Sequence, residues 1–149
     1  MSTSAVEVDR RPDEVFAYVT DPARFVEWQN GVVDGRMEAD GAPAVGDRCL
    51  MTRRIGFAQR VVTSEITHVD PPRRWGVRGI DGPIRAIVGV SVEGVDGGRR
   101  SRVSINIEFE GHGIGKVIVP LVIRPQAAKE MRGNLEKLKQ RLEEHRADR

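Results

Sequence analysis

Two arginines occupy positions from which they could handle an acidic or enolic group. Arg53 shares the alternation parity of Cys49 and Met51, and Arg60 that of Val62, Ser64 and Ile66. A guanidinium turned into an apolar interior is costly unless it is paired or hydrogen-bonded. Its planar fork suits a carboxylate or phenolate oxygen. An inward arginine would therefore orient the polar end of an otherwise apolar molecule. The plain alternative is a strand end that lets each reach water, since Arg53-Arg54 lies close to a hairpin turn. Asp47 and Glu65 are acids that could pair with either arginine if it is buried.

Other combinations point to less. Cys49 and His68 have the types of a nucleophile and a base. No third orienting group accompanies them, and a lone cysteine in a strand is usually a small buried hydrophobe. Glu110-Gly-His-Gly-Ile-Gly-Lys116 suggests a phosphate loop. Only three residues separate Gly111 from Gly115-Lys116, however, and Val117 follows the lysine where Ser or Thr is required. A flexible connection is the simpler reading. His68, His112 and His145 have no ligand partners at metal-binding spacing, and His145 reads as a solvated residue near a helix end. Neither a metal nor a cofactor is expected.

The elements that must position these groups can be read from periodicity. Val6 and Val8 alternate with acids, which predicts a short first strand. Pro12, followed by Asp13 and Glu14, suits the start of a helix, with Val15, Phe16 and Val19 on one side. Asp21-Pro22 ends that helix, and Pro22 can open a second short one carrying Phe25 and Trp28. Strands are predicted over 32–38, 47–54, 57–69, 74–79, 84–93 and 102–109. Ile84, Ala86, Val88, Val90 and Val92 share one face, as do Val103, Ile105, Ile107 and Phe109. One apolar and one wet face mark an antiparallel sheet, and Asp96-Gly97-Gly98 is a hairpin signal. A long C-terminal helix follows from Ala128, Met131, Leu135, Leu138 and Leu142. Residues 116–124 read as a separate helical turn or two, and Pro125 is expected to kink or interrupt the helix.

A chain of 149 residues accommodates one domain, here taken as residues 1–149. With 24 Lys and Arg against 22 Asp and Glu, the net charge is +2. That balance, with few aromatics, gives no reason to expect nucleic acid as a partner. The single cysteine excludes an internal disulfide and fits a reducing cytoplasm, which is the expected location. The N-terminus lacks the pattern of a signal peptide. The most apolar run, 117–123, is too short to span a bilayer, so no transmembrane segment is expected. Nothing fixes the oligomeric state.

Several stretches together resemble the SRPBCC superfamily, the START-like, Bet v 1-like or helix-grip proteins, and within it the bacterial polyketide cyclase/dehydrase type. They are Pro12-Asp-Glu-Val-Phe, Thr20-Asp-Pro22 with Trp28 downstream, Val45-Gly46-Asp47-Arg48, and Ile66-Thr-His-Val-Asp-Pro-Pro-Arg-Arg-Trp75. Phe109-Glu-Gly-His-Gly113 and Asn134-Leu-Glu-Lys-Leu-Lys-Gln-Arg-Leu142 complete the set. The resemblance covers nearly the whole chain. It implies an α+β helix-grip fold: a curved antiparallel sheet of six to seven strands around a long C-terminal helix, with two short helices after the first strand. It also turns Cys49, Met51 and Arg53 inward and places the loop holding His112 at a cavity mouth.

A curved sheet wrapped around one helix is incompletely filled by it, and a concave apolar space binds small molecules. Trp28 and Trp75 are expected as walls of that space, together with Ala86, Val88, Ile105 and Ile107. Met131 and Ala128 would form its floor, with Leu121 and Val122 nearer the mouth. Met51, Arg53, Arg60 and His112 complete the expected lining. The function that follows is binding of a small hydrophobic partner, a lipid, polyketide, isoprenoid or quinone-like molecule. Aromatase/cyclase or dehydratase chemistry is the alternative. It needs proton transfer inside the pocket, for which Arg53, Arg60, Ser64, His68 and His112 are the few candidates. A ligand-free interaction module is a third reading and would require a filled interior.

Overall fold

The computed structural model describes residues 2–55, 57–114, 116 and 124–147. Strand β1 covers Ser2–Val8, and helix α1, Pro12–Val19, opens on its proline. Asp13 and Glu14 lie in its first turn, where the helix dipole favours negative charge. Thr20 stops it, its hydroxyl donating to the Phe16 carbonyl. The Asp21 side chain then accepts from the Ala23 N–H and caps a 3-10 turn over Pro22–Arg24. Helix α2, Phe25–Trp28, follows directly. The buried face of α1 includes Tyr18 besides Val15, Phe16 and Val19. Tyr18 can be buried because its hydroxyl donates to Glu27 Oε1 at 2.9 Å. Burial and that hydrogen bond push its pKa well up.

Six further strands follow: β2 Val32–Met37, β3 Arg48–Ile55, β4 Ala58–Asp70, β5 Arg74–Gly79, β6 Ile84–Val95 and β7 Arg100–Gly111. They form one antiparallel sheet in the order β1-β7-β6-β5-β4-β3-β2. All but β1 pair with their neighbours in sequence, through short turns except for the ten-residue connection 38–47 between β2 and β3. At the β6–β7 turn, Asp96, Gly97 and Gly98 all adopt positive φ, which suits the glycines and is tolerated by aspartate. β1 and β2 form the two edges, and α1 and α2 bridge the gap between them.

Helix α3, Arg124–Ala147, is the last element. It includes Pro125 at the start of the described stretch, and the residues immediately before Arg124 lie outside the described residues. The expected turns over 116–124 fall mostly outside the described residues. Leu135, Leu138 and Leu142 of α3 are buried, and Leu138 is 0% exposed. They pack with Val8, Val15, Val19, Val92 and Val103 in one core. The resulting α+β architecture, a curled sheet gripping its C-terminal helix, is the one expected.

Candidate functional site

The inner face of the sheet is covered unevenly. Along β6, Val92 and Val90 are buried, while Val88, Ala86 and Ile84 are only half-buried. β7 repeats the gradient: Val103 and Ile105 are buried, Ile107 and Phe109 half-buried. The register joins the two series, pairing Val88 with Ile107 and Ala86 with Phe109. On the other side of the sheet Met51 faces Val62 across β3 and β4, and both are half-buried. One end of the interior is thus filled by α3, and the other exposes apolar side chains beneath the N-terminal half of that helix. Met131 is the last α3 residue on that side that is buried among the described residues. Leu121 and Val122 lie outside the described residues, as do the side chains of Ala128 and His145.

Arg53 stands at this open end. It shares the inner face with Met51 and the buried Cys49, as the parity predicts. Its Nη2 donates to the Asn30 carbonyl oxygen at 3.3 Å. Burial pushes its pKa down, and the nearby Glu130 of α3 acts in the opposite direction. Guanidinium remains charged under any ordinary condition, so the group is a partly desolvated cation. Its neighbours are Asn30 and Glu130, whereas Asp47 and Glu65 are elsewhere. The Asp47 carboxylate accepts from the Ala44 N–H, and Glu65 lies in register between Arg48 and Arg78. Glu130 went unnoticed in the sequence, although it directly precedes Met131 of the apolar stripe. Asn30 is fixed by its N–H, which donates to Asn134 Oδ1 of α3 at 3.0 Å.

Arg60 is directly opposite Arg53 in the β3–β4 register, but it is exposed. β5 joins β4 only from Ser64 onward, so Arg60 has no strand on its β5 side, whereas Arg53 is flanked by β2, where it pairs with Val32. Two like charges directly opposed on one face repel, and an anion between them would relieve that repulsion.

Cys49 and His68 do not meet. A bulge between Ile66 and His68 shifts the strand by one residue. Ile66 stays buried and Val69 packs on the core, whereas the exposed His68 ring lies over the face of Gly76, between the inward Trp75 and Val77. Cys49 itself is an inert thiol, its pKa pushed up to about 11 by burial. His112 is half-buried after β7, its Nε2 3.8 Å from Glu110 Oε2. Trp28 and Trp75 are both buried and meet through Phe25, whose ring is edge-on to each at 5.9 and 6.2 Å. They pack in the solid part of the core. The Trp28 indole N–H is buried without a hydrogen-bond partner among the described residues. No group of three or more metal-ligating side chains occurs among the described residues.

A curled sheet closed on its C-terminal helix, with apolar side chains half-covered at one end, defines a helix-grip protein. The chain belongs to the polyketide cyclase/dehydrase and lipid transport family, whose model matches residues 2–143. It is similar in fold to the Zhui aromatase/cyclase from Streptomyces sp. R1128, with 14% identity, 95% of this chain and 92% of that chain covered, and a TM-score of 0.73. The TTHA0849 protein from Thermus thermophilus gives 14% identity, 94% coverage of both chains and a TM-score of 0.73. The di-domain aromatase/cyclase StfQ of the steffimycin pathway gives 12% identity and a TM-score of 0.73, with 99% of this chain matching 46% of that one. At these identities the likeness is one of fold. No curated protein matches the sequence.

Proposed function

We propose that this protein binds a small hydrophobic molecule between the sheet and α3, with an anionic or enolic oxygen of the ligand directed at Arg53. The observation that carries this reading is the gradient of coverage. Val88, Ala86 and Ile107 on β6 and β7, and Met51 and Val62 on β3 and β4, are inner-face apolar residues that stay half-buried. Burying such surface is worth roughly 25 cal/mol per Å². Arg53, opposed by Arg60 and countered only in part by Glu130, supplies the polar contact that orients the guest. The family's description and the cyclase neighbours support a ligand of polyketide or lipid type.

Native mass spectrometry of the purified protein tests this. The expected result is a retained small molecule that is released on denaturation. Failure to retain or take up any of a panel of fatty acids, isoprenoid quinones and aromatic polyketides would overturn it.

Cyclase chemistry is the second reading, and Arg53 is what favours it. A desolvated guanidinium facing a poly-β-ketone would stabilise the developing enolate. Other proton-transfer groups are few there: Cys49 holds its proton, and His68 is on the outer face. Turnover of a poly-β-ketone mimic, abolished in Arg53→Ala, would establish this reading over simple binding.

A further inference from the structure

The β3–β4 hairpin ends in a short arm that projects past its neighbours, the last β2 pair on its β3 side being Val32 with Arg53. Its strands pair with each other up to Ile55 and Ala58, while β5 joins β4 only from Ser64. At its tip Phe57 is 112% exposed, more than in an extended reference chain, and Val61 on the arm is 59% exposed. Exposed Ile114, in the connection after β7, lies at the same end of the sheet. Hydrogen bonds from Ile80 N to Thr63 O and from His112 N to Pro83 O join the intervening turns into one rim.

Charge on this arm has one sign. Between Asp47 and Glu65 the chain carries Arg48, Arg53, Arg54 and Arg60 and no acid. Arg54 and Arg60 are each three residues from Phe57, and both are exposed. At about 3.3 Å per residue they sit within roughly 10 Å of the tip. That is the depth over which an apolar group enters the headgroup boundary while basic residues remain among the phosphates. Exposed Lys116 adds a cation on the far side of the rim.

We infer that this end of the molecule docks on an anionic membrane surface, with Phe57 entering the interface and Arg54 and Lys116 contacting lipid headgroups. A projecting ring flanked by cations favours a bilayer over a protein partner. Protein interfaces centre on a packed apolar patch that fills pockets on the other side, and the arm offers a point. The inference stands apart from the proposed ligand, because the docking residues are on the arm and rim and not on the inner apolar surface.

Cosedimentation with vesicles of phosphatidylcholine containing 30% phosphatidylserine, and with vesicles of pure phosphatidylcholine, tests it. Binding is expected to the anionic vesicles and to fall by at least about tenfold on the neutral ones. Phe57→Ser should weaken anionic binding by about tenfold, and Arg54→Gln with Lys116→Gln by about 25-fold. All three positions are exposed, so an unchanged thermal transition is the control for folding. Absence of binding to either vesicle would overturn the inference. So would binding that falls with the charge substitutions but ignores Phe57→Ser, which would leave charge alone, without insertion of the ring, as its source.

Discussion

Arg10 and Leu142, 132 residues apart in the chain, meet at 2.9 Å, where the arginine Nη1 donates to the leucine carbonyl oxygen. The same guanidinium donates through Nε to Glu14 Oε2 at 2.6 Å, and the Arg10 carbonyl accepts from Ser101 Oγ at 2.8 Å. One residue, 8% exposed, therefore ties the C-terminal turns of α3 to α1 and to β7. Lys139 and Glu143 extend the clamp along β1, through the Glu7 carbonyl and the Asp9 N–H.

Arg10→Ala should cost about 1.5–3 kcal/mol, because it strips a charge-assisted bond from the half-buried Glu14 and the guanidinium bond that joins Arg10 to the Leu142 carbonyl. Urea denaturation checks this, and Arg10→Lys should recover only part of the loss. An effect below about 0.5 kcal/mol would mean that water replaces the guanidinium freely.

The uneven core predicts uneven tolerance to truncation. Leu138→Ala, in the filled part, should cost about 2–5 kcal/mol, and Met131→Ala should fall at or below the bottom of that range. Ala86→Phe should be accommodated at a cost under about 1.5 kcal/mol while abolishing ligand retention. Equal costs for Leu138→Ala and Met131→Ala in chemical denaturation would contradict the gradient.

Cys49 makes stability fall at alkaline pH. Its thiol holds a proton to about 11 in the fold against 9.0 when unperturbed. The folded pKa is raised, so the contribution is complete below pH 9 and is lost as pH rises toward 11, by about 1.4 kcal/mol per unit. Denaturation at pH 8 and pH 10.5 should show a steeper decline for the wild type than for Cys49→Ala. Parallel declines would show that the thiol titrates normally.

Two glycines should respond differently to alanine. A Cβ at Gly35 would overlap the Pro22 backbone carbonyl, whereas at Gly76 the nearest atoms it would meet belong to the His68 ring. Backbone cannot yield as an exposed imidazole can. Gly35→Ala should therefore cost about 2–4 kcal/mol and Gly76→Ala about 1 kcal/mol or less. Thermal melts of the two variants check the order.

Much of this architecture was legible because the strands and the last helix carry clean periodicities. Ile84 to Val92, Val103 to Phe109 and Met131 to Leu142 each fix a face by themselves. Parity correctly placed Arg53 beside Cys49 and Met51. It could not place Arg60, which keeps the same parity but stands beyond the reach of β5, because strand length is set by neighbours. His68 escaped for a related reason: a bulge at Thr67 reverses the alternation, and nothing local in Ile66-Thr-His-Val announces it. The Arg53 environment was hidden because Asn30 and Glu130 are brought to it by the packing of α2 on α3.

Concentrating rigidity in one half of the molecule frees the other half from structural duty. Substitutions at Ala86, which lies outside the core cluster, are expected to leave the Arg10 clamp and the leucines of α3 in place.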